Sequence, residues 1–218
     1  MNEPPQRRAS RTDTSTRVLD TAERLVQTMG FNWFSYADIA DELGVRKASL
    51  HHHFPTKEAL GRALLERYSA FFMSALAAID SARVDAAAKL RRYVKLYEDV
   101  LRERRLCLCG MLAAEYGSLP EGMQSEIRRF FDLNEAWLAG VIDEGRRAGR
   151  FHKRGSAREV ARMLLSGLEG AMLVARPYGD VARFANSAAQ LLDNLGAALR
   201  PASTRRGSPR PKAMARSA

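Results

Sequence analysis

The chain has 218 residues, of which 46% are hydrophobic and 28% charged, which is typical of a globular protein with one or two domains. No run approaches the ~18 uncharged apolar residues of a membrane span, and the basic N-terminus lacks the apolar segment of a secretory signal. Two cysteines two residues apart cannot form a disulfide framework. The composition therefore excludes membrane-spanning and disulfide-rich secreted proteins and predicts a cytoplasmic protein.

The net charge of +10 is unevenly distributed. Residues 1–67 hold 10 basic and 9 acidic side chains, whereas the last 19 residues hold six basic side chains and no acidic one. Residues 201–218 are rich in Pro, Ser and Arg, which predicts a disordered basic tail. Such a tail either solvates a terminus or attracts nucleic acid without sequence preference, so the charge alone is weak support for DNA binding.

Helical apolar spacing continues along almost the whole chain, and no alternating strand pattern of convincing length occurs, so the predicted fold is all-α. Ser35 followed by Asp38 predicts a capping box, and Gly44 predicts a helix break. Three short helices are predicted over about 16–29, 37–43 and 46–54. Longer helices are predicted over about 57–79, 85–104, 106–116, 121–147, 156–175 and 180–199.

The segment 35–54 has the spacing of a helix-turn-helix. Ala40 provides the small residue where the two helices touch, and Gly44 tolerates a left-handed turn. A surface helical hairpin fits the same spacing, but the outward residues are small, basic or hydrogen-bonding, which suits the major groove. The inward residues are Ile39, Leu43, Val45, Leu50 and Phe54, and the outward ones are Lys47, Ala48, Ser49, His52 and His53.

The run from Thr16 to about Leu64 resembles the DNA-binding domain of TetR-family transcriptional repressors. The resemblance covers about 50 residues closely; in the remaining part of the chain only the layout is similar. The matching elements are Gly30-Phe31, Ser35, Ile39-Ala40, Gly44-Val45, Leu50 with Phe54, and Lys57-Glu58 closing on Leu60.

The resemblance implies a role for particular residues of this segment. Lys47, Ala48 and Ser49 would approach base edges, and His51, His52, His53 and Lys57 would contact phosphates or flanking bases. Thr16, Arg17 and Ser35 lie where helix N-termini meet the DNA backbone. The chain departs from the family pattern twice: His51 replaces the usual Tyr, and Arg46 replaces the usual Ser or Thr and adds a candidate phosphate contact.

The three consecutive histidines do not predict a metal site. Successive side chains on a helix point about 100° apart, so His51, His52 and His53 cannot converge on one ion. We therefore expect no metal and no cofactor.

The last two long helices carry the widest apolar stripes. These stripes fit an intrachain core or a helix pair that packs on its own copy. TetR-like proteins use the final two helices for dimerisation, so the resemblance implies a homodimer whose recognition helices lie ~34–36 Å apart on a palindromic operator. The stripes are Val160, Met163, Leu164, Gly167, Leu168, Ala171, Met172 and Ala175, and Val181, Phe184, Ala185, Ala188, Leu191, Leu192, Leu195 and Leu199.

Aromatic and methionine residues are frequent in the central helices, where they fit a core or the wall of a ligand cavity. The resemblance places a small-molecule effector cavity among these helices. The candidate effector-binding residues are Tyr68, Phe72, Tyr93, Tyr97, Cys107, Met111, Glu115, Phe131, Asn134, Trp137 and Met172.

Cys107 and Cys109 follow Arg102, Arg104 and Arg105. Cationic neighbours lower a thiol pKa, so this position suggests a reactive cysteine, and some TetR-like regulators sense electrophiles through cysteine in this region. The alternative is that both cysteines are buried small hydrophobes.

These features predict a homodimeric, non-enzymatic repressor that is released from double-stranded operator DNA by a small-molecule effector and has no membrane partner. Two alternatives remain: a sequence-independent architectural DNA-binding protein that uses the basic tail, and a helical enzyme, for which no catalytic residue set occurs. The predicted domains are an arm over 1–14, a helix-turn-helix domain over 15–60, an effector-binding and dimerisation domain over 61–200, and the tail over 201–218.

Overall fold

A computed structural model describes the backbone of residues 11–196 and the side chains from Thr14 onward. This part of the chain is helical without strands, so the predicted all-α class is confirmed. Most of the predicted arm, the basic tail and Leu199 lie outside the described residues. The helices are α1 Arg11–Met29, α2 Tyr36–Leu43, α3 Lys47–His53, α4 Lys57–Ser81, α5 Ala86–Arg102, α6 Leu108–Ala114, α7 Glu121–Arg147, α8 Ala157–Ala175 and α9 Val181–Asp193.

Local signals set the boundaries of the short N-terminal helices. The predicted capping box is present at α2, where Asp38 Oδ2 accepts from the Ser35 backbone N–H at 2.6 Å. This hydrogen bond and a second one from the Ser35 hydroxyl lower the Asp38 pKa. Gly44 ends α2 in the left-handed conformation, with φ 65°, as predicted. Helix α1 begins before the predicted Thr16, because residues 11–15 contain no apolar position by which periodicity could detect a helix.

Two helices are shorter than their periodicity predicts, because tertiary contacts end them. The Leu106 N–H donates to the Gln27 carbonyl of α1 at 3.1 Å, so the chain joins α6 only at Leu108. At the other end, Gly196 has φ 77° and the Leu195 carbonyl accepts from the His152 N–H at 2.8 Å. This contact fixes the chain after α9 against the loop between α7 and α8.

The helices form a small N-terminal head and a larger body. Within the head, α1–α3 bury Ile39, Leu50 and Phe54, as the helix-turn-helix spacing predicts. Within the body, α4, α5, α7, α8 and α9 enclose a core that includes Phe130 and Phe184. No helix within residues 11–196 has the length and apolar character needed to cross a membrane.

Side chains from the body hold the head. Glu115, directly after α6, accepts from the Phe31 N–H at 2.7 Å and from the Asn32 N–H at 3.3 Å. Arg105 donates to the Gln27 side chain at 3.0 Å. Gly30 leaves room for this attachment, since a Cβ there would lie 2.6 Å from Glu115 Oε1. The chain is therefore bonded to the head both before and after α6.

Candidate DNA-binding surface and effector cavity

The outer face of α3 is polar and basic. Lys47 and Ala48 are exposed and Ser49 is half-buried, whereas Leu50 is fully buried on the inner face. Arg46, at the N-terminal end, is exposed and makes no side-chain cap. The structure therefore brings the predicted base-contacting residues together on one accessible surface.

Tyr36, which the sequence analysis did not single out as functional, fixes the end of α3. Its hydroxyl lies 2.8 Å from the carbonyls of both Phe54 and Thr56, and burial raises its pKa to about 12. The Tyr36 ring also contacts the His51 ring, with centroids 4.7 Å apart. This contact directs His51 toward the loop, where its Nδ1 lies 3.3 Å from the Pro55 carbonyl.

His51 has a different ring partner from His52 and His53. His52 and His53 contact each other edge-on at 5.6 Å, whereas His51 contacts Tyr36. In the described part of the chain, no three His, Cys, Asp or Glu side chains form a group that could hold a metal ion.

Lys57 is directed into the head rather than toward the outer face of α3. Its Nζ lies 4.9 Å from the Phe31 ring and 4.5 Å from the Phe34 ring, and it donates to the Phe34 carbonyl. Burial lowers the Lys57 pKa, and nearby Glu115 and Asp38 act in the opposite direction. Lys57 thus stabilises the loop between α1 and α2, and its phosphate contact stays a prediction.

The remaining predicted phosphate contacts lie at the edges of the head. Thr16, Arg17 and Ser35 are all exposed. Arg17 donates to the Leu43 carbonyl at the end of α2, at 3.3 Å. Thr16 and Arg17 lie on α1 and Ser35 precedes α2, so none of the three belongs to α3, and their phosphate contacts stay predictions.

A cavity of about 240 Å³ lies in the body between α6, α7 and α8. Four of the predicted effector residues line it: Cys107, Met111, Phe131 and Met172. The other wall residues are Leu106, Gly110, Ala113, Ala114, Glu169, Gly170 and Leu173.

Glu169 is the one ionisable carboxyl group in the wall of this cavity, and the sequence analysis missed it. Its Oε1 is buried and has no hydrogen-bond partner. Burial raises the Glu169 pKa to about 7, although contacts with the Cys107 thiol and the Tyr97 hydroxyl act in the opposite direction. Gly110 permits the close approach, since a Cβ there would lie 2.4 Å from Glu169 Oε2.

A chain of buried polar groups runs from this carboxyl group into the core. The Tyr97 and Tyr93 hydroxyls lie 3.1 Å apart, and Tyr93 donates to Asn134 Oδ1 at 3.0 Å. Asn134 in turn donates to the Phe130 carbonyl at 2.9 Å. Three further predicted effector residues, Tyr93, Tyr97 and Asn134, thus lie behind the cavity wall rather than in it.

The two cysteines are free and buried. The Tyr68 hydroxyl lies 3.6 Å from Cys107 Sγ, and burial followed by the Glu169 charge raises the thiol pKa well above its ordinary value. The expectation that neighbouring arginines lower this pKa is therefore wrong: the thiol is surrounded by a carboxyl group and a phenol, and the arginines lie outside.

The other candidate effector residues are dispersed. Tyr68 and Phe72 line a second cavity of about 280 Å³ between α1, α4 and α5. Trp137 stacks on Tyr93 at 5.5 Å and donates to Asp80 at 2.9 Å. Glu115 holds the head, as described above.

The predicted apolar stripe of α8 divides between the interior and the surface. Leu164, Leu168 and Met172 are buried, whereas Met163 is 49% exposed. Two residues next to the stripe, Leu173 and Val174, are 61% and 56% exposed. Helix α8 therefore presents an apolar strip to the outside of the subunit.

An accessible helix-turn-helix joined to a helical body with a cavity defines a DNA-binding regulatory protein. Residues 18–64 match the family described as bacterial regulatory proteins, tetR family, and residues 86–191 match the tetracyclin repressor-like C-terminal domain. The chain belongs to the TetR family of transcriptional regulators.

Named relatives agree in sequence and in structure. A TetR-family regulator from Agrobacterium tumefaciens is 33% identical, with TM-score 0.82 over 85% of this chain and 99% of that chain. The reduced form of Escherichia coli NemR is 27% identical, with TM-score 0.71 over 84% and 97%. The transcriptional regulator AcuR of Cereibacter sphaeroides is 27% identical over 154 residues, 67% of this chain and 69% of AcuR.

Proposed function

We propose that the chain is a cytoplasmic, ligand-responsive repressor that binds a palindromic operator as a homodimer and is released by a small-molecule effector. The observation that carries this proposal is the course of α6. Its residues Gly110 and Met111 form part of the cavity wall, and Glu115 at its end holds the Phe31 N–H of the head. A ligand in the cavity and DNA on the head therefore act on one short helix.

Operator binding would use the outer face of α3 in the major groove. Lys47 and Ser49 supply donors for base edges, and Arg46 supplies a charge for the phosphate backbone. Tyr36 supports this role because its hydroxyl anchors both Phe54 and Thr56, which keeps the end of α3 in one position.

Dimerisation would use the exposed strip of α8, namely Met163, Gly170, Leu173 and Val174. The other three residues lie seven positions before and three and four positions after Gly170, which places them on one side of the helix. Gly170 has open space where its Cβ would be, so another backbone can approach closely there. Two subunits joined in this way would bring two α3 helices to one operator.

Release requires only that the effector binds the non-DNA-bound arrangement more tightly than the DNA-bound one. A ligand that displaces Gly110 or Met111 would shift α6 and, through Glu115, the loop that contains Phe31. Helix α4, which begins in the head and continues through the body, would transmit the same displacement.

The deciding experiment measures anisotropy binding of the purified chain to DNA upstream of its own gene and to a scrambled duplex, at several salt concentrations. We expect a preference of about 1,000-fold or more for the native fragment. The double variant Lys47→Ala, Ser49→Ala should lose most of this preference, whereas Lys95→Ala, an exposed lysine paired with Asp99 on α5, should keep it.

The basic tail provides the test against the architectural alternative. Deletion of 201–218 should weaken binding to both duplexes by a similar factor and lower the salt dependence. If the deletion abolishes all binding while the α3 variant has no effect, the protein is a sequence-independent binder and the repressor proposal is wrong.

The dimer is tested separately by sedimentation. The variant Leu173→Glu, Val174→Glu should be monomeric, whereas Phe71→Glu, which changes another exposed apolar residue on α4, should remain dimeric. A dimer that survives the α8 variant would place the interface elsewhere.

A further inference from the structure

We propose that the cavity between α6, α7 and α8 takes a small organic amine, whose ammonium group pairs with Glu169 and whose apolar part fills the remaining space. This inference rests on the proposed function in that it gives the chemical class of the effector. It depends on four observations, which concern the free oxygen of Glu169, the cavity wall, the surrounding charges and the protons of the polar chain.

The free carboxyl oxygen indicates that the site is incomplete without a donor. Oε1 of Glu169 is buried and has no partner, although buried polar groups in folded proteins nearly always have one. Leaving such a group without a hydrogen bond costs free energy. A ligand that donates to Oε1 would recover that loss.

The cavity wall to which Glu169 contributes is otherwise apolar. Met111, Phe131, Met172 and Leu173 supply flexible or flat hydrocarbon and thioether surface. The volume of about 240 Å³ is below the ~300–1,000 Å³ common for drug-sized ligands, so the apolar part must be small. A single polar group in such a wall fixes the orientation of the ligand and selects its charge.

The groups that face Glu169 leave its charge unbalanced. They are Tyr68 from α4, Tyr93 and Tyr97 from α5, and Cys107 and Cys109 from the start of α6, and none of them is a cation. The α7 side contributes the uncharged Phe131.

The Arg176 guanidinium, which contacts the wall residue Met111, has a partner of its own. Arg176 donates to the Thr28 carbonyl and lies 3.8 Å from Met111 Sδ, and it is not among the residues that line the cavity. The described part of the chain therefore offers no internal counter-ion for Glu169 within the cavity, and a cationic ligand would supply it.

The hydrogen-bond chain behind the wall predicts a proton change on binding. Tyr93 donates to Asn134, so the hydrogen bond between Tyr93 and Tyr97 uses the Tyr97 proton. With the Tyr97 proton used there, burial dominates and raises the Glu169 pKa to about 7, so part of the carboxyl groups carry a proton near neutral pH. When the ammonium group pairs with the carboxylate, it favours the charged form, and Glu169 loses this proton to the solvent.

The experiment is titration calorimetry on the full chain with primary amines of increasing size, from propylamine to phenethylamine, each compared with the alcohol of the same skeleton. We expect at least one amine to bind about tenfold or more tightly than its alcohol. At pH 6.5, the binding enthalpy of that amine should differ between phosphate and ACES buffers as proton release requires, and the alcohol should show no such difference.

Two glutamate variants on the same helix provide the controls. Glu169→Gln keeps the shape of the side chain and should reduce amine affinity to that of the alcohol, with the proton release lost. Glu159→Gln changes an exposed residue at the start of α8, whose carboxylate accepts from the Ser156 N–H, and should leave amine binding unchanged. Thermal unfolding checks that both variants are folded.

Three results would overturn the proposal: no amine in the series binds more tightly than its alcohol, Glu169→Gln binds the amine as well as the parent chain, or the matching carboxylates bind best. Operator release is measured in parallel by anisotropy. An amine that binds through Glu169 without releasing operator DNA would leave the assignment of this cavity intact and contradict the proposed function.

Discussion

The residues of the outer face of α3 all lie within one short segment, 46–53, whereas the wall of the cavity combines residues from Leu106 to Leu173. The first surface is solvated, and its charged side chains need no partner within the protein. The cavity wall contains a carboxyl group and a thiol, and these two groups interact with the two phenols behind the wall. A substitution on the DNA-binding surface can therefore leave the neighbouring side chains undisturbed, whereas a substitution among the interacting groups of the cavity affects the others.

The two regions also differ in how they respond to pH. In the head, Asp38 is exposed and its hydrogen bonds to Ser35 lower its pKa. In the body, burial raises the pKa of Glu169 to about 7. The pKa values of two carboxyl groups in one chain thus shift in opposite directions, because one group lies at a helix start in water and the other in an apolar wall.

The largest expected effect concerns the free energy of unfolding of the body. Because the folded pKa of Glu169 lies above its ordinary value of 4.5, its contribution is fully present below pH 4.5 and is lost as the pH rises to about 7. Relative to Glu169→Gln, the parent chain should lose on the order of 3 kcal/mol over this range. Urea unfolding at pH 5, 6, 7 and 8 measures this difference.

Glu159→Gln is the matched control on the same helix. The Glu159 pKa is lowered by its hydrogen bonds to Ser156, so its contribution is present at neutral pH and is lost as the pH falls. If both variants show the same pH slope, the contrast between cavity and surface carboxylates is wrong.

The next effect concerns the head alone. Tyr36→Phe removes the hydroxyl between the Phe54 and Thr56 carbonyls and should destabilise the head by about 1–3 kcal/mol. Operator affinity should fall with it, while amine binding in the cavity stays the same. Tyr178→Phe, at a tyrosine that is 63% exposed, should have no measurable effect on either; equal losses in the two variants would contradict the role of Tyr36.

A smaller effect compares the same motif in the two regions. Ser35→Ala and Ser156→Ala each remove a capping box and should each cost about 1 kcal/mol. The first begins the eight-residue α2, and the second begins the 19-residue α8. We expect only Ser35→Ala to weaken operator binding, because α2 supports α3 directly; reduced operator binding in both would mean that cap loss acts through global stability.

The smallest effect concerns the connection between the two regions. Glu115→Gln keeps a neutral acceptor for the Phe31 N–H but removes the charge, which should cost about 0.5–1 kcal/mol. Amide exchange at Phe31 and Asn32 should accelerate by a few-fold, without change at Leu164 or Leu168 in the body. Unchanged exchange at Phe31 would remove α6 from the proposed coupling.

The head was predictable because its signals are local. Ser35, Asp38 and Gly44 specify α2 and its end within ten residues, and the inward spacing of Ile39, Leu50 and Phe54 fixes which side of α3 is outside. Lys57 is the exception. Its direction depends on Phe31 and Phe34 across the head, a contact that spacing along α4 does not encode.

The cavity was only partly predictable, because it depends on contacts between distant helices. Aromatic and methionine residues do line it or lie behind it, but Glu169 resembles any surface glutamate by residue type. One signal was available: Glu169 is the only charged residue in the 13 positions 163–175. A lone acid within an apolar helix indicates a buried role, since burying a charge is costly without a purpose or a partner.

Leu173 lies both in the cavity wall and on the exposed strip of α8. In a dimer closed by that strip, a ligand in one subunit would press on the contact with the second subunit. Occupancy of the two cavities would then be cooperative, with a Hill coefficient above one in effector titrations. The regulated genes would respond to a threshold concentration of effector rather than in proportion to it.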